Sequence, residues 1–158
     1  MYTVSEILAL AIQLEKNGEK FYREGLKRVS NPQMVSLLRR LAEEELKHIE
    51  TFSEMKKRAS GDQPFTDEAG QSILVGIVGD QTFSLKEENL ETLGGPEELI
   101  QIALEFERDT ILFFGFLRTL AQKDGAIKEL DVIIEEENRH INLLEEMGAA
   151  GGGGGRKQ

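Results

Sequence analysis

The chain has 158 residues, 39% of them hydrophobic and 30% charged, which fits one globular domain with a sizeable core. Its formal net charge of -10 argues against nucleic acid or an anionic membrane as the main partner, because their phosphates would repel it. The absence of cysteine excludes disulfides, thiolate metal sites and cysteine nucleophiles.

The first predicted helix runs from about Thr3 to Val29 and opens with a capping box formed by Thr3 and Glu6. No basic stretch precedes its apolar residues, so it is a poor signal peptide. The longest apolar run, "ILVGIVG" at 73–79, is too short to span a bilayer. We therefore expect a cytoplasmic protein that does not cross a membrane.

Three more long helices follow, each marked by turn-forming residues. Asn31 is a natural N-cap and Pro32 suits the first position of a second helix, which ends near Arg58. The third helix follows Gly94, Gly95 and Pro96 and ends near Gln122, and the fourth follows the turn "KDG" at 123–125 and ends near Met147.

Residues 59–95 are too many for a simple turn between helices, and they include a candidate short helix near Glu68 to Val78. Two helical hairpins joined by one long connection are typical of an all-α four-helix bundle with a crossover between helices two and three. We assign residues 1–148 to this bundle and expect the glycine-rich tail, 149–158, to be flexible.

The two halves of the chain repeat one motif. Its two histidines, His48 and His140, each follow a glutamate by three residues, Glu45 and Glu137. The offset of 92 residues that relates the two motifs also carries Glu15 onto Glu107. Each of these polar residues interrupts an apolar stripe near the middle of its predicted helix, so all of them can meet at one level of the bundle.

Four carboxylates buried together cannot stay ionised without compensating charge, because desolvation and mutual repulsion both oppose it. Two divalent cations would balance them, with the imidazoles as neutral ligands. Glu-x-x-His suits this purpose because residues three apart share a helical face. In helical bundles this ligand set forms di-iron or di-manganese sites. The candidate metal ligands are Glu15, Glu45, His48, Glu107, Glu137 and His140.

Over residues 3–147 the chain resembles the ferritin-like superfamily, and within it the rubrerythrin-like branch. The resemblance rests on "LEKNGEKFY", "EEELKH", "FERDTILFF" and "EEENRH". It implies that Glu45 and Glu137 bridge two metals, that Glu15 and Glu107 are terminal ligands, and that each histidine binds one metal. The chain departs from rubrerythrins in two ways. It lacks the cysteines of a rubredoxin domain, and it has Thr110 where they carry a further carboxylate.

The resemblance implies a ferritin-like fold and a non-haem di-iron oxidoreductase that oxidises Fe(II) with peroxide or dioxygen. Its cofactor would be two Fe ions, although Mn or a mixed metal pair stays open, and a separate protein such as a rubredoxin would donate electrons. We expect a homodimer or a higher homo-oligomer. The alternatives are iron storage or delivery, a di-manganese catalase-like centre, and a metal-free structural bundle.

Several neighbouring residues have more than one interpretation. Tyr22 packs in the core, donates a hydrogen bond to a carboxylate or has a redox role. Gly18 and Thr110, equivalent under the repeat, leave room for a small oxidant or allow close helix packing. The remaining glutamates of the two motifs are expected on a solvated helix face. They are Glu43, Glu44, Glu135 and Glu136.

Overall fold

The structure is a computed structural model that describes residues 3–59, 64, 66–80, 94–120 and 124–156. In these ranges the chain forms helices and no strand, apart from an isolated bridge between Thr3 and Pro64. The helices are α1 (Val4–Leu26), α2 (Pro32–Arg58), α3 (Glu68–Asp80), α4 (Pro96–Leu120) and α5 (Asp124–Arg156). The all-α prediction is confirmed, as is the short helix in the connection.

The predicted helix starts are confirmed by their caps. The Glu6 amide donates to Thr3 Oγ1 at 3.1 Å, and the Thr3 amide donates to the Glu6 carboxylate at 3.4 Å. Asn31 accepts from the amides of Gln33 and Met34 at 2.9 and 3.1 Å. These contacts satisfy amides that have no partner inside their helices.

The glycine-proline boundary before α4 is also confirmed. Gly95 has a φ of 151°, a conformation that side chains disfavour, and its carbonyl accepts from the Leu99 amide at 3.1 Å. Helix α4 then begins at Pro96. The fixed φ of proline suits that first position.

The observed ends of two helices differ from the predicted ends, whereas the predicted starts of α1, α2 and α4 agree with the structure. Helix α1 stops at Leu26 rather than near Val29, and α5 continues as helix to Arg156, past the predicted end near Met147. Glycine keeps both backbone hydrogen-bonding groups, so a glycine run can extend a helix although it adds no packing. Flexibility of the tail, 149–158, stays a prediction. The predicted turn at 123–125 and the connection at 59–95 lie partly outside the described residues.

Two apolar clusters fill the bundle, one toward each end. One cluster contains Leu8 of α1, Met55 of α2 and Leu117 of α4. The other contains Met34 of α2 and Ile100 of α4. The chain therefore leaves α2 at one end of the bundle and enters α4 at the opposite end. The connection between them has to run the length of the bundle, as a crossover requires.

Helix α3, inside this connection, presents one side to the bundle. Leu74 is fully buried in the cluster that contains Leu8, while Ile73 and Val75 are 50% and 58% exposed. None of the helices in the described ranges is both long and apolar enough to cross a membrane.

The predicted apolar stripes are buried, so the polar residues that interrupt them are buried as well. The stripe on α5 consists of Leu130, Ile133, Glu137, His140, Leu144 and Met147, and of these six residues Met147 alone is only partly buried. The four long helices thus carry polar groups to a level between the two apolar clusters.

Candidate metal centre

Six polar side chains meet at that middle level of the bundle. Helices α1 and α4 each supply one glutamate, and α2 and α5 each supply a Glu-x-x-His pair. The four glutamates and His140 are 0% exposed, and His48 is 2% exposed. This six-residue site consists of Glu15, Glu45, His48, Glu107, Glu137 and His140. The structure therefore brings together all the residues that the repeat predicts, and their metal ligation stays a prediction.

The six-residue site contains two overlapping groups that could each hold a metal ion. In each group, one ligand atom per residue lies within 4.8 Å of the others. Glu15 and His48 belong only to the first group, and Glu107 and His140 belong only to the second. Glu45 and Glu137 belong to both. This sharing is what two ions bridged by two carboxylates require.

Both histidines turn Nδ1 toward the carboxylates. His48 Nδ1 lies 2.9 Å from Glu137 Oε1 and 3.3 Å from Glu15 Oε2. His140 Nδ1 lies 3.1 Å from Glu45 Oε1 and 3.3 Å from Glu137 Oε2. The two rings are nearly parallel, with centroids 6.1 Å apart. Glu137 therefore places one oxygen beside each histidine, as a bridging carboxylate would.

The other nitrogen of each imidazole, Nε2, contacts a carboxylate that lies outside the six-residue site. His48 Nε2 lies 2.5 Å from Glu136 Oε2, and His140 Nε2 lies 2.7 Å from Glu44 Oε2. The hydrogen bond to His140 lowers the pKa of Glu44. A carboxylate on one ring nitrogen fixes the orientation of the ring and leaves the other nitrogen facing the metal position.

The prediction that Glu44 and Glu136 lie on a solvated face is therefore wrong. Only Glu43 and Glu135 are exposed as expected, while Glu44 and Glu136 are partly buried. The repeat contained a signal for this pair, because the same offset of 92 residues relates Glu44 to Glu136. A helix-face argument missed it because each contact crosses from one hairpin to the other.

Tyr22 donates to Glu107 Oε1 across the bundle at 2.5 Å. Core packing and the hydrogen bond are both confirmed, since the ring is also fully buried, and a redox role stays untested. Burial raises the pKa of Tyr22 well above its ordinary value, and the nearby Glu107 raises it further. The phenol therefore keeps its proton and stays a donor that orients this carboxylate.

Gly18 lies where α1 packs closely against the site. A Cβ at this position would lie 2.9 Å from Phe106 Cε2 and 3.0 Å from Glu45 Oε2. Close packing is therefore a reason for glycine here. The same geometry shows that this helix position faces the shared carboxylate Glu45.

Many of the buried site oxygens have no hydrogen-bond partner. Both oxygens of Glu45 and of Glu137 are in this state, with one oxygen of Glu15 and one of Glu107. The histidine contacts of Glu45 and Glu137 are close enough for charge attraction but are poorly directed for hydrogen bonds. Unpartnered buried oxygens around two histidine nitrogens fit a pair of divalent cations, which would satisfy them as ligands.

Burial raises the pKa of Glu15, Glu45 and Glu107 well above the ordinary carboxyl value, and the charge of Glu137 raises each of them further. Burial would also raise the pKa of Glu137. Interactions with Glu107, His140 and His48 outweigh burial, however, and hold the pKa of Glu137 well below its usual value. Burial thus favours the neutral form of three of the carboxyls, whereas the contacts of Glu137 favour its ionised form.

The pKa values of both histidines are raised, which favours the positively charged form. Burial alone would lower the pKa of His48, but Glu137 beside Nδ1 raises it to about 9. Burial also lowers the pKa of His140. Contacts with Glu107, Glu137 and Glu44 outweigh burial, so the pKa of His140 is raised. Both shifts favour the protonated imidazole, whose positive charge would offset the negative charge of the nearby carboxylates.

Comparison with known proteins agrees with this geometry. The chain matches no curated protein in sequence, but the family model described as rubrerythrin matches residues 6–148. A solved structure from Thermotoga maritima, titled a ferritin-like diiron-carboxylate protein, is 28% identical with a TM-score of 0.74. The similarity covers 94% of this chain and 95% of that one.

The structural similarity extends over the whole bundle, so the fold is a ferritin-like four-helix bundle with a crossover. The family match spans α1, α2, α4 and the part of α5 that carries Glu137 and His140. The chain belongs to the rubrerythrin family.

Proposed function

We propose that the protein is a non-haem di-iron oxidoreductase that oxidises Fe(II) with peroxide or dioxygen. The observation that carries the proposal is the pair of four-residue groups that share Glu45 and Glu137. Both shared carboxylates are fully buried and have no hydrogen-bond partner on either oxygen. The solved relative, titled a diiron-carboxylate protein, supports iron as the metal.

In this proposal Glu15 and His48 bind one ion, and Glu107 and His140 bind the other. Glu45 and Glu137 bind both. Two iron ions held by these residues would supply the redox chemistry, since each Fe(II) can give one electron to the oxidant. Manganese would use the same ligands, and a di-manganese catalase-like centre is therefore the main alternative.

The surrounding residues orient and isolate the ligands. Glu136 and Glu44 hold the outer nitrogens of the two imidazoles, and Tyr22 holds Glu107. The apolar clusters on both sides exclude water from the bundle axis. Fixed ligands in a dry site need little rearrangement during a reaction, which lowers the free-energy barrier.

The proposal includes a separate electron-donor protein, such as a rubredoxin, because this chain has no cysteine with which to bind a rubredoxin iron. It also includes a cytoplasmic location and a homodimer or higher homo-oligomer. Iron storage or delivery would use the same centre as an entry site, with assembly into a hollow shell.

Anaerobic titration should saturate near two Fe(II) per chain, because six ligands with two shared carboxylates serve two ions. Metal binds the folded form preferentially, so loading should raise the melting temperature. The double variant Glu45→Ala and Glu137→Ala should lose both effects. The matched control replaces the exposed Glu43 and Glu135 by alanine and should keep them. Saturation at one ion or none in the folded wild-type protein contradicts the proposal.

Rapid mixing of the Fe(II)-loaded protein with dioxygen and, in parallel, with peroxide tests the chemistry. We expect fast oxidation by at least one of them, and His48→Ala and His140→Ala should each lose the fast phase. The double variant should be little worse than either single variant, because residues that act as a unit are not additive. A single variant with the full rate and full loading would show that the two motifs do not share one centre.

The same mixing experiment separates the alternatives. Continued oxidation well beyond two Fe(II) per chain, by a shell-sized assembly, favours storage. If the iron form is inert toward both oxidants and the manganese form disproportionates peroxide, the protein is catalase-like instead.

The metal-free protein should become less stable as pH rises from 5 to 9. The raised pKa values of Glu15, Glu45 and Glu107 mean that the folded form retains protons that the unfolded chain loses above about 4.5. The folded form also retains the His48 proton between 6.5 and about 9. Because the folded form then binds more protons than the unfolded chain, the free energy of unfolding falls as pH rises. The pKa of Glu137 is lowered instead, so the ionisation of Glu137 changes the stability only below about pH 4.5.

Thermal melts of the metal-free protein at pH 5, 7 and 9 measure this effect. Glu15→Gln cannot ionise, so its melting temperature should fall less steeply with pH. A wild-type melting temperature that is constant or rises over this range contradicts the assignment of protons to the site.

A further inference from the structure

Thr110 carries a buried hydroxyl that has no hydrogen-bond partner. The residue is 1% exposed, and Oγ1 itself is buried. Threonine in a helix ordinarily bonds to a carbonyl three or four residues back. Thr51 donates to Lys47 O at 3.2 Å, and Thr119 donates to Phe116 O at 2.7 Å. Thr110 therefore differs from two other helical threonines of the same chain.

Thr110 lies one helical turn from a residue of the six-residue site. Thr110 lies three residues after Glu107 on α4, so the two share a helical face. Glu107 Oε1 in turn lies 3.4 Å from His140 Nδ1. Thr110 is thus one turn of α4 from the half of the site formed by Glu107 and His140.

The internal repeat indicates which shared carboxylate corresponds to Thr110. Its equivalent on α1 is Gly18, where a Cβ would lie 3.0 Å from Glu45 Oε2. The same offset of 92 residues relates Glu45 to Glu137. The equivalence places Thr110 at the position of α4 that corresponds to this close approach, with Glu137 as the matching shared carboxylate. The Thr110 hydroxyl has no hydrogen-bond partner within the protein. Of the two equivalent positions, only Thr110 carries a hydroxyl.

We propose that the Thr110 hydroxyl is a binding group that donates a hydrogen bond to a small anion or oxidant at the metal pair, on the Glu107 and His140 side. The inference rests on the proposed di-metal site and adds a group that selects for small ligands able to accept a hydrogen bond. The ligand is small and accepts hydrogen bonds, as azide and peroxide do. Because Gly18 offers no donor, the two halves of the site bind such a ligand unequally.

Azide tests the inference without measuring turnover. Azide binding to the ferric protein is followed by its charge-transfer absorption, and iron is counted in the same samples. One hydrogen bond corresponds to a change of about 2–10-fold in the dissociation constant. Thr110→Val, which keeps the side-chain shape, should raise the azide dissociation constant by that factor. Thr110→Ser, which keeps the hydroxyl, should bind azide nearly as wild type does.

Two controls separate ligand binding from a structural effect. Thr119→Val removes an exposed hydroxyl on the same helix and should leave azide binding unchanged. The metal-free Thr110→Val protein should melt no lower than wild type, because the lost hydroxyl has no partner within the protein.

The outcomes are distinct. If Thr110→Val holds two irons and binds azide as tightly as wild type, the inference is wrong and the di-metal site stands. If Thr110→Ser binds azide as weakly as Thr110→Val, side-chain shape rather than the hydroxyl is responsible, and the inference is again wrong. A wild-type protein that does not take up two metals contradicts the proposed function and this inference together.

Discussion

The burial of four carboxylates at one level of an apolar bundle is the constraint on which the rest of the structure depends. Desolvation raises the free energy of every ionised carboxylate there, so the site needs positive charge from another source. The pKa values of both histidines are raised, which favours positively charged imidazoles, and burial raises the pKa of three of the four carboxyls, which favours their neutral forms. Two divalent cations would replace the protons on these groups and satisfy the unpartnered oxygens at once.

The same interactions join the two halves of the molecule. Glu44 of α2 reaches His140 of α5, and Glu136 of α5 reaches His48 of α2. Each hairpin therefore orients a histidine of the other, and Tyr22 of α1 adds a contact to α4 through Glu107. The polar centre connects hairpins that are distant in sequence, while the apolar clusters pack around it. Occupancy of the site and association of the hairpins should consequently be linked.

The sequence predicted those features that local physics controls. The caps at Thr3 and Asn31 and the apolar stripes follow from residue type and helical period, and the repeat located the six-residue site. Features that depend on contacts between hairpins were harder to predict, because helical spacing says nothing about partners in space. Glu44 and Glu136 look like ordinary surface glutamates for that reason, and only their equivalence in the repeat distinguishes them. The end of α5 was missed because glycine lowers helix propensity without forbidding a helix.

X-ray diffraction from metal-loaded crystals, recorded at the iron absorption edge, tests the central claim most directly. Anomalous scattering should show two iron peaks about 3.5–4 Å apart, one beside His48 Nδ1 and the other beside His140 Nδ1. The carboxylates of Glu45 and Glu137 should each contact both peaks. A single peak in the six-residue site, or peaks only at surface carboxylates, would contradict the account.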